Sequence, residues 1–225
     1  MSQELGHIDR PEADRFKGKR KLLLVPLVYG PPAEAQEGQA IVKRYWEQVQ
    51  DQVTSLELKL GLAKHIYQET LTEGGEEGLQ RLEAVDAQVR DFVRGKSEAG
   101  VILEATEDEG LLLEVIDLQR CLMLPLSSNA VGTRLQEWYN ESVRKRYEHI
   151  SKRIDDTLQS EELGVLLISE RHQVQFPVDI EVFYVAPPAL EEFRHWFQEW
   201  ISQQQKQAEE AEDAGEAGGP EEVSQ

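Results

Sequence analysis

The alternation of apolar and polar positions divides the chain into strands and helices. Lys21 to Tyr29 (KLLLVPLVY) is a nearly unbroken apolar run, which predicts a strand. Pro26 inside it points to an edge position or a bulge. Ile41, Tyr45, Val49, Val53, Leu56 and Leu60 recur every three or four residues and predict a helix over 39–60, closed by Gly61. Residues 62–70 alternate and read as a second strand. Leu79, Leu82, Val85, Val89, Phe92 and Val93 carry one face of a helix over 76–94. The stretch 107–124 is apolar on most sides, which predicts a largely buried central helix.

The stretch from Val143 to Leu190 organises the rest. Val143, Tyr147, Ile150, Ile154 and Leu158 mark the face of a helix over 130–159, which at that length is about 45 Å long. Gly164 breaks the pattern. Val165 to Ile168 is a short apolar run suited to a strand covered on both faces. A polar loop follows, and then Ile180 to Val185 form a β-branched and aromatic run ended by Pro187-Pro188. A last helix over 189–203 carries Leu190, Phe193, Phe197, Trp200 and Ile201.

These elements predict an α/β domain over residues 19–204. Its small mixed sheet has about four strands, near 21–29, 62–70, 164–169 and 180–186, packed by about five helices, one of them long. The segments flanking the QVQFP connection are expected to pair as neighbours beneath the long helix. Residues 1–18 read as a flexible arm. Residues 205–225 are poor in large apolar side chains and read as a disordered acidic tail.

Charge and composition narrow the roles. The net charge is -19, which disfavours bulk nucleic acid and anionic membranes. A single cysteine, Cys121, cannot form an internal disulfide and implies a reducing, cytoplasmic setting. In so apolar a helix it reads as inert core. No apolar run is long enough for a membrane span, and residues 1–16 have no apolar secretory segment.

Three constellations carry candidate chemistry. The loop after the third strand holds Glu170, Arg171, His172, Gln175 and Asp179 within ten residues, beyond the end of an apolar strand where open α/β sheets place ligands. Glu170, His172 and Asp179 are the candidate acid–base groups, with Arg171 and Gln175 as binding groups. A polar connection without chemistry explains the same residues. The second constellation is a cationic band beside the apolar face of the long helix. It contains Lys145, Arg146, His149, Lys152 and Arg153, with Trp138 on the same side. Such a band suits a solvated face, an acidic protein partner or a second copy, or RNA held by phosphate contacts and stacking. The third, Glu73-Gly-Gly-Glu-Glu-Gly78, lacks the lysine of a phosphate loop and reads as a turn. His65, His149 and His195 stand without a neighbouring motif. No metal-ligand spacing, dinucleotide fingerprint or catalytic motif occurs, so no cofactor or metal is expected.

The run EELGVLLISE, following a helix with RYEHISKRI, is similar to modules of the archaeo-eukaryotic release factor and Pelota group, in which a helix leads into an apolar strand of like text. The resemblance covers about thirty residues and implies a ribosome-associated role. The Gly-Gly-Gln triplet that carries peptide release in release factors is absent. Three roles follow in order: a non-enzymatic interaction or regulatory protein, homodimeric through the long helix or the aromatic last helix; an RNA- or ribosome-associated factor using Arg146, His149, Lys152 and Arg153; and a small-molecule enzyme at the Glu170–Asp179 loop.

Overall fold

The computed structural model describes residues 18–82 and 86–216, with side chains through Gln207. The expected flexible arm falls almost wholly outside these residues, as does the end of the expected tail.

The α/β reading holds. Among the described residues five strands form one sheet: β1 (Arg20–Pro26), β2 (Ala63–Gln68), β3 (Ile102–Leu103), β4 (Leu163–Ile168) and β5 (Ile180–Tyr184), in the order β3-β2-β4-β1-β5. Every pairing is parallel, where a mixed sheet was expected. The segments flanking QVQFP are not neighbours, because β1 lies between β4 and β5. The eleven residues joining them are a crossover that carries the chain from the carboxyl edge back to the amino edge of the sheet, not a hairpin. Parallel neighbours need such a long return, whereas antiparallel ones need as few as two residues.

Pro26 does not mark an edge strand. Leu27 N–H donates to Ile168 O, and Val185 N–H donates to Leu24 O. Alternation along β1 therefore aims the nitrogen of Pro26 towards β5, just past the last rung on that side. The missing N–H costs no ladder bond there. The Pro26 carbonyl accepts from the Tyr45 hydroxyl at 2.5 Å.

Two cores flank the sheet. Leu23, Val25, Val165, Leu167 and Ile66 face helices α1 (Gln36–Leu60), α2 (Gly75–Leu82) and α3 (Ala87–Glu98), together with the start of α6 (Pro188–Glu216). Leu22, Leu24, Tyr67, Leu166 and Ile168 face Ile150 and Ile154 of α5 (Asn129–Thr157) and Val174 of the crossover. Gly38 lets α1 meet α6: a Cβ there would lie 2.2 Å from the Trp196 ring.

The single helix expected over 76–94 is two. Asp86 caps α3, accepting from Gln88 N–H and Val89 N–H through one carboxylate oxygen, while the other accepts from Gly30 N–H. The apolar spacing runs on through this break and so hid the cap. At the other end of the chain, α6 continues as helix through Glu216, beyond the expected end at 203. Its extra turns are rich in Gln, Ala and Glu, which favour helix without leaving an apolar period to read.

The largest departure is α4 (Glu109–Leu122), expected to be central and buried. Only Val115 in it is buried. The helix packs on α5 and leaves Leu113, Met123, Leu124 and Leu126 exposed, as it does Val131 and Trp138 of the returning helix. Cys121 is exposed too, not core.

Candidate functional site

Topology puts the site at the carboxyl edge of the sheet. The chain leaves β1 and β2 towards helices on one face, and leaves β4 along the other, with β4 between them. The end of β4 is thus flanked by two switch points, where the diverging connections open a crevice.

A buried ion cluster forms the floor. Arg146 Nε lies 2.9 Å from each carboxylate oxygen of Glu107, and its Nη2 donates to Glu107 and, at 3.0 Å, to Glu69. Glu69 also accepts from Ser169 N–H at 2.7 Å and from the Ser169 hydroxyl at 3.3 Å. Glu107 accepts from Thr70 N–H at 3.1 Å. Thr70 has φ +74°, unusual for a β-branched residue. All three charged side chains are at least nine-tenths buried. Burial, the largest single influence, lowers the Arg146 pKa, but Glu107 and Glu69 together outweigh it and the net shift is upward. A cationic guanidinium between two anions locks the end of β2, the segment before α4 and the middle of α5 together.

Above this floor α4 and α5 rise as a hairpin. Since Arg146 sits level with the carboxyl edge, residues 129–145 project beyond it by about 25 Å.

Two clefts lie between α5 and the crossover. One, of about 510 Å³, is lined by Tyr139, Asn140, Val143, Tyr147, Ser169, Arg171 and Gln173. The other, of about 550 Å³, shares Tyr147 and Gln173 and adds Lys152, Asp155 and Gln175 among others. The expected binding residues Arg171, Gln175 and Lys152 therefore do line concave surface. Burial pushes the Tyr147 hydroxyl upward, with Glu69 acting in the same sense.

The candidate acid–base groups do not converge. Glu170, at the carboxyl edge, accepts from the Tyr184 hydroxyl at 2.8 Å and pairs with Arg194, which holds its carboxyl below the usual range. Asp179 precedes β5 at the opposite edge and pairs with Arg20 at 2.7 Å. The crossover spans the height of the sheet and separates them. His172 Nδ1 accepts from Val174 N–H at 3.3 Å, and its ring packs on Phe176. Burial lowers its pKa.

The cationic band is not a continuous exposed stripe. Arg146 is buried, Arg153 donates to Ala105 O at 3.1 Å and faces Glu104, and Lys145 pairs with Glu141. His149 is half-buried, and Trp138 lies further out on the hairpin with half its surface exposed. Sequence reasoning missed Glu69 and Glu107, which lie 77 and 39 positions from Arg146 with no local motif. It also left His65 isolated, yet its two ring nitrogens face Glu104 at 2.8 Å and Glu162 at 3.2 Å.

Among the described residues no cluster of His, Cys, Asp and Glu is suited to a metal ion, and no helix is long and apolar enough to cross a membrane. Compared with protein-family models, curated proteins and solved structures, the chain matches none.

Proposed function

We propose that the protein is a non-enzymatic, cytosolic interaction module that pairs with a second copy of itself through the α4–α5 hairpin. One observation carries this reading: α4 packs on α5 and leaves a ridge of Leu113, Met123, Leu124, Leu126, Val131 and Trp138 in solvent. Met123 is 72% and Leu124 62% exposed. Large apolar side chains left in solvent together on one hairpin point to an interaction site. Cytosolic residence draws its support from the single cysteine, Cys121, left exposed as a thiol.

Charge favours a second copy as the occupant. The chain carries -19 overall, yet the outer hairpin from Asp117 to Trp138 holds Asp117 and Glu137 against Arg120 and Arg134, and residues 121–133 hold no charge. Two copies meeting there avoid most of the repulsion between their acidic bodies. Two helical hairpins related by a twofold axis make a four-helix bundle, burying the ridge of each against the other. The RNA reading ranks lower because the band's Arg146, Arg153 and Lys145 are engaged by carboxylates.

Light scattering after gel filtration tests the proposal. The full chain should run as a dimer at tens of micromolar, and Leu124→Glu with Leu126→Glu should run as a monomer with unchanged circular dichroism. A wild-type chain monomeric throughout that range, or a double variant that still dimerises, overturns it.

A further inference from the structure

The cleft between Tyr139, Tyr147 and Arg171 differs from the rest of this molecule in its chemistry. The chain has 43 Asp and Glu residues, yet among the described residues none lines this cleft. Its one charged lining residue is Arg171. That guanidinium makes no hydrogen bond or ion pair among the described residues; the carboxylate of its neighbour Glu170 is held by Arg194 and Tyr184. Arg144, Lys145, Arg146 and Arg194 each have a carboxylate partner instead.

The other lining groups add donors. Asn140 accepts from Gln136 through Oδ1, which leaves its Nδ2 free to donate. Gln173 contributes a side-chain amide, and Tyr139 and Tyr147 contribute hydroxyls beside their rings. Glu69 is not on the lining: it is buried, shares Arg146 with Glu107 and accepts from Ser169, so its carboxylate oxygens are already engaged. An arriving anion therefore meets a guanidinium and amide donors with no uncompensated carboxylate on the lining. The location, beside the end of β4 at a double switch point, is where open parallel sheets take ligands. About 510 Å³ lies within the range of small-molecule pockets.

We propose that this cleft binds a small organic anion. Its carboxylate or phosphate sits on Arg171, with Asn140 and Gln173 as further donors. Its planar or apolar body lies against Tyr139, Val143 and Tyr147. Arg171 serves because its fork matches either anion in bidentate fashion. The ligand site is separate from the outer hairpin ridge, so it stands whether or not the chain dimerises.

The test is a titration of the full-length, nitrogen-15-labelled protein followed by NMR. Three probes separate the sources of the anion: adenosine 5′-monophosphate, benzoate and inorganic phosphate. A ring-bearing anion should shift Ser169, the Arg171 Nε–H and the side-chain amides of Asn140 and Gln173, saturating below about 10 mM. Arg171→Gln should weaken that binding about tenfold or more, the loss of a charge-assisted pair. Lys152→Gln, in the adjoining cleft, should leave it unchanged. Response to the nucleotide alone identifies a phosphate ester, and response to benzoate alone or to both identifies a carboxylate or a general anion site. Absence of shifts with either ring-bearing probe, equal binding by Arg171→Gln, or inorganic phosphate binding as tightly as the ring-bearing anions overturns the proposal.

Discussion

Arg146 and Glu107 form a buried ion pair at the root of the hairpin, with Nε 2.9 Å from both carboxylate oxygens and the Glu107 side chain fully enclosed. Glu69, just past the end of β2, is a second carboxylate on the same guanidinium. Removing the cation alone leaves two carboxylates in a space without water to solvate them. Arg146→Ala is therefore expected to destabilise the fold by about 3–5 kcal/mol. Replacing all three groups by apolar residues of similar volume should cost far less, since the pair's attraction largely offsets its own desolvation. Urea denaturation of the single and triple variants checks both. A single variant within about 0.5 kcal/mol of wild type would mean the cluster is wetter than its burial indicates.

The strands and most helices were legible because each is a local pattern. LLLV in β1 and VLLI in β4 are apolar without alternation, and both strands are indeed covered on two faces. Neighbour order was not legible. Nothing in QVQFP distinguishes a hairpin from a crossover, and that choice moved Asp179 to the far edge from Glu170. Arg171, Gln175 and Lys152 could be chosen as polar residues near a strand end or helix face, and they line clefts. The ion cluster under them needs three segments brought together by the sheet. The α4 misreading has a different cause. Periodicity counts apolar residues without saying what they pack against, so a helix facing solvent or a partner reads like one facing the core.

The position of Cys121 separates those two meanings of the α4 pattern. In a core its replacement by serine would place a hydroxyl among apolar atoms and cost about 1–3 kcal/mol. On the exposed hairpin, Cys121→Ser is expected to stay within about 0.5 kcal/mol of wild type. The thiol should react with a chromogenic disulfide reagent in native buffer, to one equivalent per chain. If the hairpin is the dimer contact, the rate should fall as protein concentration rises through the association range. Reaction only after unfolding would return Cys121 to a buried position.

His172 gives the crossover a pH dependence whose sign follows from its surroundings. Burial lowers its pKa from 6.5, outweighing the opposite influence of Glu69, and Nδ1 must be unprotonated to accept from Val174 N–H. The folded chain thus binds this proton less readily than the unfolded chain. Its contribution to stability is complete above the unfolded value near 6.5 and is lost as pH falls through the lower folded value. His172→Asn keeps a short side-chain acceptor for an N–H two residues on but does not titrate. Between pH 7.5 and 5, the urea midpoint of the wild type should fall relative to that of His172→Asn, while the easing of repulsion among the acidic groups acts equally on both. Parallel pH profiles would mean that the imidazole accepts a proton as readily in the fold as in the unfolded chain.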